Sequence, residues 1–237
     1  MRTVLVLPDR AAVAEAAAQR LVAFLLETQS LASPVHLALT GGGLGIAVLE
    51  HVRRNPLLGS VCWADVHFWW GDERFTAAGS PERNDLAADR ALLDHLPVRP
   101  GGIHRVGAAD QGLSLVEAAT RYSDELRRQA VVFSLVLLGV GPDGHVASIF
   151  PGGGDGSDTK APAAFAVPDS PKPPPARVSL TLDTINAADQ VWLFAAGASK
   201  RAAVTAALAA PAVPSTLPAA RAAGRRQTLW LIDAPAA

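Results

Sequence analysis

Residues 134–152, SLVLLGVGPDGHVASIFPG, hold the densest chemistry in the chain: an apolar run breaks into glycines and delivers Asp143 and His145 side by side. Imidazole titrates near neutral pH, so a histidine beside a carboxylate can accept a proton and return it within one reaction cycle. An apolar run bounded by glycine predicts a buried strand. The turn behind it then lies at the carboxyl edge of a sheet, where open α/β sheets bind ligands. Two further clusters follow similar runs. Thr40-Gly41-Gly42-Gly43 can aim several backbone N–H groups at one anion beside a helix terminus. Gly71-Asp72-Glu73-Arg74 supplies a guanidinium for a phosphate and two acids to steer it or to hold substrate hydroxyls. Taken singly, a triple glycine can be a plain tight connection and a charged turn a solvated one. The uninterrupted Phe68-Trp69-Trp70 before the second cluster argues instead for burial up to the sheet edge.

Gly139, Gly141 and Gly144 also stand in G-x-G-x-x-G spacing. A dinucleotide fingerprint needs a helix and then a second strand tipped by an acid, whereas this chain has Pro142 inside the turn and runs on into Pro151 and glycines 152–154. No nucleotide cofactor is expected. The other histidines, His36, His51, His67, His95 and His104, form no HExxH and have no paired cysteines, so no zinc site is expected either.

The elements that must position these clusters alternate. Residues 3–7 predict a strand, Asp9 a helix cap, and Val13, Ala17, Leu21, Phe24 and Leu25 a helix face. Strands are predicted at 35–39, 66–70, 103–106, 134–139, 177–182, 190–195 and 228–232, and helices at 46–52, 84–96, 113–128 and 199–209. Strand and helix in alternation imply one α/β domain over residues 1–237, with a mostly parallel sheet covered by helices on both faces. The Pro/Gly-rich stretch 152–175 reads as a mobile surface loop rather than a linker.

Composition bounds the function. Hydrophobic residues make up 49% and charged residues 18% of 237, which is globular and not disordered. A net charge of −1 advertises neither a nucleic-acid nor a membrane partner. No apolar run approaches a transmembrane span or a signal peptide, and the one cysteine, Cys62, excludes an internal disulfide; a cytoplasmic setting is expected, with Cys62 a small buried hydrophobe.

Taken in order, TGGG, WWGDERF and GVGPDGHVASIFPG resemble the 6-phosphogluconolactonases of the pentose phosphate pathway, and the likeness runs nearly end to end. Asn84, residues 177–181, the turn Gly197-Ala198-Ser199-Lys200 and the closing WLIDAPAA belong to it as well. The resemblance implies a modified Rossmann-like fold shared with glucosamine-6-phosphate deaminases, and hydrolysis of a small-molecule phosphorylated sugar lactone, 6-phospho-D-glucono-1,5-lactone, without a cofactor. It implies His145 as base with Asp143 orienting it. Thr40, Gly41, Gly42, Gly43, Asp72, Arg74, Asn84, Arg177 and Lys200 are the substrate-binding residues it implies. The family loop usually reads Ser-Gly-Gly-Ser and then Thr or Pro, so Gly43 here lacks a hydroxyl for phosphate. The deaminase branch is the rival. Its members carry Asp-Glu-Tyr where this chain has Asp72-Glu73-Arg74, and Asn-Glu-Pro where it has Ile149-Phe150-Pro151. A non-catalytic sugar-phosphate sensor is the other alternative, and it would have no use for His145.

Overall fold

The structure, a computed structural model, describes residues 1–156, 162–209 and 216–237. Strands β1 (Arg2–Leu7), β2 (Val35–Leu39), β3 (Val66–Trp70), β5 (Leu135–Gly139), β8 (Gln190–Ala195) and β9 (Gln227–Asp233) form one parallel sheet in the order β1-β9-β8-β5-β2-β3. Alternation through Phe68-Trp69-Trp70 explains why that run has no polar member. Phe68 and Trp70 bury with helices α1 (Arg10–Leu31), α2 (Gly42–Arg53) and α3 (Asn84–Ala91), while Trp69 buries on the opposite face. That second face is covered by α4 (Leu115–Arg128), α5 (Leu182–Asn186), α6 (Arg201–Leu208) and α7 (Pro218–Arg221). No helix among the described residues is long and apolar enough to cross a membrane.

Several expectations change. The strand at 177 does not join the parallel sheet: β7 (Arg177–Leu180) pairs antiparallel with β4 (Asp72–Arg74) and β6 (Ala164–Val167) in a small second sheet. Alternating residues announce a strand but not its partner. Residues 152–175 therefore contain a strand rather than only a loop, with 157–161 lying outside the described residues. The helix at 84–96 stops at Ala91, because Leu92 leaves helical geometry and a short 3₁₀ turn, Leu93–His95, buries Leu93 as well. Of the strand at 103–106 only Ile103 pairs, in one parallel bridge with Phe68. Cys62 is exposed, not buried: its neighbours Val61 and Trp63 turn inward instead.

Toward the amino ends of β2 and β3, His104 stacks on Trp69 with centroids 3.8 Å apart, bonds His67 at 2.9 Å and meets Glu125 at 2.6 Å. His36 accepts the Trp69 indole N–H at 3.1 Å. Burial, then the charges of His67 and His104, push the His36 pKa down to about 4. The unfolded chain thus binds a proton at His36 that the folded protein refuses, so stability is full above pH 6.5 and is lost progressively as the pH falls toward 4. His36→Asn retains an acceptor for Trp69 but cannot titrate; urea midpoints measured across this window should vary less in the variant than in the wild type.

Candidate active site

The parallel register brings four separated strand ends to one edge. Leu39 pairs with Trp70, and Gly139 with Phe194, so Thr40, Gly71, Val140 and Ala195 all emerge at the carboxyl edge. The Thr40 hydroxyl accepts the Gly139 N–H at 3.2 Å, which ties the glycine loop to the histidine turn and leaves the hydroxyl proton for a ligand. Between these turns opens a cleft of about 280 Å³. Every residue expected at the site lines it except Asp143, which stands behind His145.

The turn at 141 explains how His145 is presented. Gly144 N–H bonds Gly141 carbonyl at 3.0 Å, with Pro142 at the position of a β-turn where its fixed φ fits, and Gly141 N–H bonds His145 carbonyl at 2.9 Å. The G-x-G-x-x-G spacing is therefore a hairpin and not a phosphate loop. Gly141 must be glycine, because a Cβ there would overlap both the His145 imidazole and the Asp143 carboxylate. His145 Nδ1 lies 2.5 Å from Asp143 Oδ1, and Phe150 packs on the ring with centroids 4.6 Å apart. A carboxylate on Nδ1 holds the proton there and leaves the Nε2 lone pair for the cleft.

Cations dominate the lining: Arg10, Arg74, Lys172, Arg177 and Lys200 face a single carboxylate, Asp72. They are not equivalent. Arg177 Nε bonds Pro174 carbonyl at 3.1 Å and Nη2 bonds Lys172 carbonyl at 3.0 Å, while Nη1 lies 3.6 Å from Asp72 Oδ2. Its donors hold the 170–175 strap in place rather than reaching freely for phosphate. Arg74 Nη1 bonds Asn84 Oδ1 and Glu82 carbonyl, but its Nε is buried without a partner among the described residues, a donor that an anion would satisfy. The ammonium of Lys200 likewise has no protein partner among them. Burial, followed by the charge of Lys172, lowers its pKa.

Only one of the two acids beside Arg74 serves the cleft. Glu73 is fully buried, its Oε1 accepting N–H from Arg74 at 2.7 Å and from Asn84 at 2.8 Å and its Oε2 accepting from Asp85 at 2.8 Å. Burial, then the Asp85 charge, raises its pKa to about 7. Asp72 accepts the Ser148 hydroxyl at 2.6 Å, and Asn84 donates to the Asp72 carbonyl at 2.8 Å. Asn84, expected to touch substrate, lines the cleft and also bridges protein groups: its Oδ1 accepts from Arg74 and one Nδ2 N–H donates to the Asp72 carbonyl, leaving the second N–H uncommitted.

Sequence reasoning missed two charged lining residues. Lys172 Nζ sits 3.2 Å from His145 Nδ1 and 3.5 Å from Nε2, and 3.9 Å from Asp143 Oδ1. A lysine set between Pro171 and Pro173 was the available signal, since prolines restrict where it can go. Arg10, at the start of α1, was the other.

A family model for glucosamine-6-phosphate isomerases/6-phosphogluconolactonases matches residues 8–230. The chain belongs to this family. A 6-phosphogluconolactonase of Streptomyces coelicolor is 42% identical over 239 residues, covering 97% of this chain and 91% of that protein. One of Mycobacterium tuberculosis is 38% identical over 247 residues, covering 98% and 96%. The solved structure of 6-phosphogluconolactonase from Trypanosoma cruzi superimposes with a TM-score of 0.86 at 25% identity, covering 100% of this chain and 96% of that one. Family membership agrees with the motif resemblance and with the α/β fold, although the family name spans two reactions.

Burial lowers the His145 pKa below its ordinary 6.5, and the charge of Lys172 adds to this, against the raising effect of Asp143. Asp143 is held below the usual carboxylate range: burial opposes this, but the His145 hydrogen bond and charge outweigh it. A ring-carbon NMR titration should therefore find His145 neutral at pH 6.5 and protonating only below it. Lys172→Met should move that midpoint up and Asp143→Asn should move it down; the reverse order would refute the arrangement.

Proposed function

We propose that the chain hydrolyses 6-phospho-D-glucono-1,5-lactone to 6-phospho-D-gluconate, with His145 as general base, as a cytoplasmic enzyme of the oxidative pentose phosphate pathway. The observation that carries this reading is the Asp143-backed imidazole facing a cation-lined cleft, with Phe150 and not a carboxylate against the ring. The exposed single thiol of Cys62 suits a reducing compartment.

A lactone is an activated ester, so the reaction needs a positioned water, a base and support for the tetrahedral oxyanion. His145 Nε2 takes a proton as the water oxygen attacks the carbonyl carbon. The intermediate then collapses by breaking the bond to the ring oxygen, which receives that proton from the imidazolium. Asp143 stabilises the charged ring in between, and its lowered pKa keeps it ionised for the task. The phosphate rests on the Thr40 hydroxyl and the N–H groups of Gly41 to Gly43 at the start of α2, with Arg74 and Lys200 as its cations. Asp72 receives sugar hydroxyls. Anchoring the phosphate fixes the distant carbonyl against the water, turning binding energy into orientation.

Deamination of glucosamine 6-phosphate, the other reaction in the family name, requires ring opening with a proton shuttle. Phe150 has no proton to give or take at the place where the resemblance puts the deaminase glutamate. Fresh lactone, corrected for spontaneous hydrolysis, should turn over, and a coupled assay should detect no ammonia from glucosamine 6-phosphate; ammonia release at a comparable rate would move the protein to the deaminase branch. His145→Ala should lower kcat on the order of 10²–10⁴-fold. Arg74→Ala should act mainly on KM. A His145→Ala variant with normal turnover would remove the base from the mechanism.

A further inference from the structure

Arg10 opens α1 directly after Asp9, whose carboxylate caps the helix by accepting the Ala12 N–H at 2.8 Å. A cation in a first turn opposes the helix dipole, which favours acids there, and this first turn contains none. Helix physics therefore gives no reason for an arginine at this place. Its side chain is also not spent on the protein: among the described residues the guanidinium has no hydrogen-bond or ion-pair partner. Helices α1 and α2 pack together, and Arg10 leans across to the first turn of α2. There Nη2 lies so close to Gly43 that a Cβ on residue 43 would overlap it.

We propose that Arg10 is a substrate-binding residue that grips the phosphate from the open side of the Gly41–Gly43 loop, and that residue 43 is glycine so that the guanidinium can enter. This deepens the proposed function and rests on it. The backbone N–H groups of the loop are fixed, short-reach donors, whereas a guanidinium is a planar fork that delivers full charge and paired hydrogen bonds to phosphate oxygens. A side chain on residue 43 would push the exposed end of Arg10 away from this place, and glycine leaves it there.

The test uses the full chain as wild type, Arg10→Met, Gly43→Ser and the double variant. Each is assayed with fresh 6-phosphogluconolactone and with unphosphorylated glucono-1,5-lactone, and titrated calorimetrically with inorganic phosphate. Arg10 is exposed, so its loss leaves the fold intact. Arg10→Met should raise KM for the phosphorylated lactone and weaken phosphate binding by about tenfold, the charge-assisted contact being discounted for its exposure. The loss should fall on KM rather than kcat and spare the unphosphorylated lactone. Gly43→Ser should weaken phosphate binding in the wild type, where it displaces the guanidinium, and strengthen it in Arg10→Met, where the space is free. Unchanged phosphate affinity in Arg10→Met, equal losses on both lactones, or additive effects of the two substitutions would each overturn the proposal. A wild type that binds phosphate through Arg10 but leaves the lactone untouched would overturn the function and not the anion contact.

Discussion

The site depends on a carboxylate that never meets the substrate. Glu73 collects N–H groups from Arg74, Asn84 and Asp85, so one buried side chain pins the end of β4 to the start of α3. Asp72 and Arg74 flank it and take the opposite direction along the strand, toward the cleft. Burying an acid this completely raises its pKa, and the three N–H donors offset part of that cost. Arg74 and Asn84, which line the cleft from this side, are placed through that contact.

The crowd of cations does two jobs. It makes the cleft attractive to an anion, and it shifts the proton affinity of His145: Lys172 lies close enough to the imidazole to disfavour a second positive charge, while Asp143 pulls the other way. The balance leaves a neutral ring near pH 7, the state in which a histidine can accept a proton from water. Arg177 contributes indirectly, because its guanidinium holds the carbonyls of the strap that carries Lys172. The same positive cleft that would attract an anion thus favours the neutral form of its histidine.

The scaffold does not choose the reaction. A single family name covers an isomerase and a lactonase, so membership alone does not select between them. In this chain Phe150 packs on the imidazole as an apolar wall and adds no second proton carrier.

Local chemistry made much of this legible. Gly41–Gly43, Asp72, Arg74 and the Asp143–His145 pair announce themselves through residue type and through the apolar strands before them, and those strands appear where alternation and glycine boundaries put them. The place of Arg10 and Lys172 in the cleft, and the protein contacts of Glu73, Asn84 and Arg177, were not legible, because each is set by segments distant in the chain. The burial of Glu73 depends on α3 closing over β4, and the commitment of Arg177 on a strap that only the antiparallel β4-β7-β6 sheet brings against the cleft. Sequence determined the main strands of the parallel sheet and most helices, since steric preference and hydrophobic period act within a few residues, while β4, β6 and the fate of residues 103–106 depended on their pairing partners. Tertiary structure alone decided which of the cations remain free for a ligand, because a hydrogen bond is spent according to what lies within about 3 Å in space, whatever the separation along the chain.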